Sequence, residues 1–159
     1  MANIYVGKII NTFGIKGELK VFSDFDMPDK VFVKGNEIII NDNTHEITNI
    51  RYHKNHYLME IDNIKDINEV LSFKKNDIYV LRDSLNLKEG EYLMNDLIDM
   101  EIYDNNELIG KVTNVIRDDK NPLIRVNNEF YIPLKANYIK EVNLIENRIN
   151  TENAKELII

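Results

Sequence analysis

Asp24 and Asp26 are the first residues in the chain whose types and spacing could do chemistry. Two apart in an extended segment, they would present both carboxylates on one strand face, as a two-metal phosphodiester-cleaving site requires. The plainer reading is a solvated strand end, with an aspartate capping the turn that Pro28 begins. His53 and His56 stand three apart around Lys54-Asn55, but no third ligand of the usual spacing accompanies them, so no metal site is expected. They sit in Arg51-Tyr52-His53-Lys54-Asn55-His56, the strongest basic and aromatic run in the chain. Arg51, Tyr52, His53 and Lys54 could meet RNA through phosphate contacts and a stacked ring, or form the wet end of a hairpin. Lys16 and Lys20 offer further RNA contacts from an earlier segment; the alternative is that they are simply solvated. The three serines, Ser23, Ser72 and Ser84, lie in no nucleophile-elbow or base-partnered pattern. Cysteine is absent, which removes thiol nucleophiles, disulfides and thiolate metal sites. The chain is therefore expected to be no enzyme and to need no cofactor or small-molecule substrate.

The elements that must position these residues are strands. Tyr5–Val21 holds three of the six glycines, and from Ile15 the pattern alternates: Ile15, Gly17, Leu19 and Val21 on one side, Lys16, Glu18 and Lys20 on the other. Period two means a strand with one buried and one wet face. Ile4–Ile10 reads as the preceding strand, and Gly14 as a turn residue free to take positive φ. Gly7 and Gly17, inside strand patterns, mark bulges, bends or close backbone approach. The Gly14-Ile15-Lys16-Gly17 tetrad also fits a loop that clamps a nucleic-acid backbone, but such a loop joins two helices, and this one runs into a strand.

Further strands are expected at Val31–Val33, Glu37–Ile40, Glu46–Tyr52, Tyr57–Ile61 and Asp77–Leu81, with Asn41-Asp42-Asn43 and Lys54-Asn55 as turns. Asp66-Ile67-Asn68-Glu69 has the pattern of a capping box, so one short helix is expected over 67–74. The second half predicts strands at Met100–Tyr103, Leu108–Ile116, Leu123–Val126, Phe130–Ile132, Ile139–Ile145 and Arg148–Ile149, again with asparagine-rich turns. The fold class is mostly β: two small β-barrel domains in tandem over 1–82 and 91–159, with 83–90 as linker, and one short helix in the first. Cores that small are marginal, so each half is expected to lean on the other or on a partner.

The net charge of −7 argues against a general polyanion binder, because affinity for phosphates needs clustered cations. A basic protein surface is as natural a partner. No signal-peptide pattern and no apolar run of membrane-spanning length is visible, so the expectation is a soluble, cytoplasmic protein.

Four collinear pieces then carry a resemblance that spans essentially the whole chain: V-G-K-I-I-N-T-F-G-I-K-G-E-L-K-V, E-G-E-Y-L-M-N-D-L-I-D, L-I-G-K-V around Gly110, and I-P-L at 132–134. Together they resemble the ribosome maturation factor RimM family. The resemblance implies a translation-factor-like barrel followed by a PRC-type barrel. It implies a non-catalytic assembly factor, a monomer, that binds the immature small (30S) subunit at its head and assists 16S rRNA maturation. Ribosomal protein S-nineteen is its implied direct partner. The family's adjacent aromatics implicated in subunit binding fall on Tyr92 and Leu93, so one aromatic is kept. Tyr92 suits an interface, with a large apolar face and a polar tip, and would equally well seal an interdomain seam. The family's usual His-Gly is here Phe13-Gly14, and a usual glycine is Asp99. Readings from other classes are a small metal-dependent nuclease using Asp24 and Asp26, and a PRC-barrel interaction protein acting outside the ribosome.

Overall fold

The computed structural model describes residues 3–118 and 120–158, and its strands fall in two compact units, one ending at Leu87 and one beginning at Lys88. The first is built from β1 (Asn3–Phe13), β2 (Glu18–Phe22), β3 (Glu37–Ile40), β4 (Asn43–His53), β5 (His56–Ile61) and β6 (Asp77–Leu81). They close into a barrel in the order β1-β2-β5-β4-β3-β6, and β6 returns antiparallel to β1 to complete it. The alternation in β2 works as its sequence implies: Leu19 and Val21 are buried, while Glu18, Lys20 and Phe22 are not. Ile9, Ile38, Ile40, Ile47, Met59, Ile61 and Ile78 join them in a core sealed from solvent. Mostly β-branched or leucine side chains fill a pleated, half-buried surface of this kind.

Two glycines mark where the barrel bends. The β1–β6 register shifts between Tyr5 and Gly7, and a Cβ on Gly7 would lie 2.8 Å from the carbonyl oxygen of Phe22. Gly17 has φ of +83°, and a Cβ there would meet the backbone of Ile64 and Asp66 at 3.2 Å. The hairpin turns rely on other residues: Asn41-Asp42, Lys54-Asn55, Asn105-Asn106 and Asn127-Asn128 all take positive φ in consecutive pairs. Asparagine and aspartate tolerate this region best among residues with a side chain.

The second unit consists of β7 (Glu101–Asp104), β8 (Glu107–Ile116), β9 (Leu123–Val126), β10 (Phe130–Pro133), β11 (Ile139–Asn143) and β12 (Arg148–Thr151). They form one six-stranded sheet, β10-β9-β8-β7-β12-β11, in which β12 runs parallel to β7. Its core holds Leu97, Met100, Ile102, Val112, Ile124, Val126, Phe130, Ile132 and Ile149. Asp104, 1% exposed, accepts hydrogen bonds from the Thr151 hydroxyl and the Ala154 amide at 2.9 Å each, and from the Lys155 amide at 3.3 Å. One carboxylate thus ties the 3-10 turn Ala154–Leu157 to the sheet.

The mostly-β, two-unit fold class is as the sequence implied, with local differences. The second unit is a curled half-barrel rather than a closed one. The helix expected over 67–74 is two single 3-10 turns, Ile67–Glu69 and Leu71–Phe73. Asp66 does cap, accepting the Asn68 amide at 2.9 Å, but Val70 between the turns is fully buried with a non-helical backbone. The segment is also tied at either side to the first hairpin region, by Ile67 N–H to the Ile15 carbonyl and Lys75 N–H to the Ile9 carbonyl. Val31–Val33 is no strand, because the amides of Val31 and Phe32 both turn back to the Pro28 carbonyl. Ile15, expected among the buried residues, is 80% exposed, because β2 begins only at Glu18 and Ile15 lies in the preceding turn.

Candidate functional site

The side chains singled out from the sequence fall in two places. Tyr92 and Leu93 precede the 3-10 turn Met94–Leu97 at the start of the second unit. Leu93 is 5% exposed, and its amide donates to the Asp96 carboxylate at 2.8 Å, which fixes the entry to that turn. Tyr92 is half-buried and packs against the second unit's core, and this burial pushes its phenol above the ordinary value. Asp99, which stands where the resemblance has a glycine, takes φ of +71° while its amide bonds to the Val112 carbonyl at 2.9 Å. The backbone there has the conformation that favours glycine, and aspartate occupies it under strain.

The remaining residues lie on the first barrel. Cross-strand register sets Leu58 of β5 opposite Lys20 on one side and Arg51 on the other. Since Met59 points into the barrel core, its neighbour Leu58 points outward, yet Leu58 is only 1% exposed. A layer of side chains on the outer surface therefore covers it. Arg51 forks onto Glu18, Nη2 to Oε1 at 2.8 Å and Nε to Oε2 at 3.0 Å. That hydrogen bond, more than the charge of Arg51, holds the Glu18 carboxyl below its usual range. The same guanidinium lies 5.7 Å from the centre of the Phe13 ring, and Phe13 meets His53 edge-on at 5.8 Å. Phe22 lies 6.4 Å from His56, which pairs across the hairpin with His53.

The pleat splits the sequence run at Tyr52. Arg51 and His53 share the outer face, whereas Tyr52 packs edge-on against Tyr57, which stacks on the buried Phe32 at 4.6 Å. Lys16 and Lys54 lie exposed in the β1–β2 and β4–β5 turns. Phe13, Phe22 and His56 complete the outer face and were not singled out as contacts. Phe22 carried a signal, since it continues the wet series Lys16, Glu18, Lys20. Asp24 and Asp26 lie in irregular chain after β2, so no strand face pairs them. Among the described residues, no group of three or more His, Asp or Glu side chains gathers to hold a metal ion. No helix among them is long and apolar enough to cross a membrane.

Partly exposed rings and arginines on two small sheets make surfaces of the kind that binding proteins use. A profile of the RimM N-terminal domain matches residues 4–85, and one of the PRC-barrel domain matches residues 89–158. The ribosome maturation factor RimM of Staphylococcus haemolyticus is 35% identical over 154 residues, covering 91% of this chain and 92% of that protein. Its counterpart in Staphylococcus aureus strain RF122 is 34% identical over the same shares. A crystal structure of a putative 16S ribosomal RNA processing protein RimM from Pseudomonas aeruginosa aligns over 98% of this chain and 99% of that one, with 18% identity and a TM-score of 0.48. The chain belongs to the RimM family of ribosome maturation factors, which is not a family of enzymes.

Proposed function

We propose that this protein binds the immature small ribosomal subunit at its head and assists maturation of 16S rRNA there, working in the cytoplasm as a monomer. Its direct protein partner in this reading is ribosomal protein S-nineteen, a basic protein. The observation that carries the reading is Tyr92, a ring seated half in the second unit's core and half outside it, at the position of the family's subunit-binding aromatics. Charge supports the partner: from Leu85 onward the chain has 9 basic and 14 acidic residues. A basic protein surface complements that balance better than a polyphosphate does. Leu93 is buried, so its part is to anchor the turn that presents Tyr92, not to touch the partner.

The test is titration of small-subunit precursors, and separately of isolated S-nineteen protein, with the full chain and its Tyr92→Ala variant. The expected result is a loss of at least about 1 kcal/mol, roughly fivefold in affinity, with the second unit still folded. Equal affinity of variant and parent for both targets overturns the role of Tyr92. Failure of the parent to bind precursors overturns the whole reading.

A further inference from the structure

The outer surface of β1, β2, β5 and β4 has two properties that the rest of the first barrel does not require. It exposes apolar rings, Phe13 at 36% and Phe22 at 48%, although the barrel has a complete core without them. It also collects cations in a chain that is acidic overall. Lys8 stands directly opposite Phe22, Lys20 opposite Leu58, and Lys16 and Lys54 lie in the turns at the strand ends. None of these four lysines takes part in an ion pair among the described residues. Two of the acids near them are already engaged, Glu18 with Arg51 and Glu60 with Lys65 and Thr48, while Asp77 stands opposite Lys8 on the β6 side, away from the two rings.

We propose that this face binds single-stranded RNA, with unpaired bases stacked on Phe13 and Phe22 and phosphates set against Lys8, Lys16, Lys20 and Lys54. This deepens the function proposed above and rests on it, since it names the RNA chemistry that the first unit would recognise in an unfinished subunit. The rings decide between partners. An acidic protein segment would use the lysines but has no need of exposed phenyl faces, whereas a base offers a π-face to each ring whatever its sequence. An A-form duplex keeps its bases stacked inside and would leave the rings uncovered, so splayed, unpaired nucleotides fit. Arg51 is not a phosphate ligand here. Its guanidinium, locked in a fork by Glu18, stiffens the platform by lying against Phe13 while Phe13 and His53 meet edge to face. Tyr52, on the opposite side of β4, takes no part.

The experiment titrates a fluorescein-labelled short oligouridylate, and a blunt RNA duplex of equal length, with the full chain. The variants are Phe13→Ala, Phe22→Ala, Phe22→Tyr and Lys20→Gln. Each alanine is expected to weaken oligouridylate binding about fivefold or more with an unaltered thermal midpoint, and Phe22→Tyr to retain binding. Lys20→Gln is expected to reduce the slope of log affinity against log salt by about one. The duplex is expected to bind at least about tenfold more weakly. The proposal is overturned if the parent does not bind oligouridylate, or if both alanine variants bind it as the parent does. It is equally overturned if those variants lose an isolated ribosomal protein instead of RNA, which would make this a protein-binding face. Any of these results alongside precursor binding that Tyr92→Ala weakens leaves the proposed function standing.

Discussion

Asp104 and Ala154 are 50 residues apart in sequence and joined by a 2.9 Å hydrogen bond from the Ala154 amide to the Asp104 carboxylate. The carboxylate is almost sealed from solvent and also accepts from Thr151 and Lys155. Burial by itself would raise its pKa, but these donors and the positive charge of Lys155 outweigh burial and hold it below the ordinary aspartate range.

The second unit should therefore be acid-sensitive through this one group. Because the folded-state value lies below that of the unfolded chain, about 3.9, the stabilisation is complete above that pH. It drains away as pH falls through the lower, folded value. Asp104→Asn should cost about 1–3 kcal/mol at neutral pH by leaving buried donors poorly matched, and should flatten the pH dependence below about pH 4. Urea midpoints of parent and variant across that range decide the matter; parallel curves would exclude Asp104 as the source.

Asp99 gives a change in the opposite direction. Its left-handed backbone is one that a side chain strains and glycine does not. Asp99→Gly should raise the thermal stability of the second unit by up to about 1 kcal/mol, and Asp99→Ala should lower it. Differential scanning calorimetry reads both, and a stabilising alanine would contradict the strain.

Glu18 is the acid at the centre of the proposed RNA face, and its pairing with Arg51 is partly exposed. Replacing it by Gln removes a negative charge and frees a guanidinium, so oligouridylate affinity should rise with a steeper salt dependence. Folding stability should change by less than about 1 kcal/mol, as is usual for surface ion pairs. Anisotropy titrations at two salt concentrations check the first outcome and thermal melts the second.

Much of the fold could be read from residue order alone. Alternation located β2 and β6, and the asparagine pairs located hairpin turns, because both signals are local. The segments at Val31–Val33 and 67–74 differ from expectation for two reasons: the first is curled by amides turning back to Pro28, and the second is broken at Val70, whose burial local propensity does not see. At the outer face, the Arg51–Lys54 run looks continuous in sequence, yet the strand pleat sends Tyr52 the other way. Phe13 and Phe22 reach the same surface only through the β1–β2 and β2–β5 pairings. Leu58 shows what register adds, since an outward-pointing leucine is legible as buried only once its cross-strand neighbours are known.

The strand orders have a consequence for the protein's own birth. The first barrel can close as soon as β6 has been made, since every strand it needs lies at or before Leu81. The second sheet must wait, because β12, at Arg148–Thr151, wedges between β7 and β11. A nascent chain released before that strand would carry a finished N-terminal half and a frayed, sticky remainder. Truncation that removes β12 should therefore damage the second unit far more than the four residues of that strand suggest.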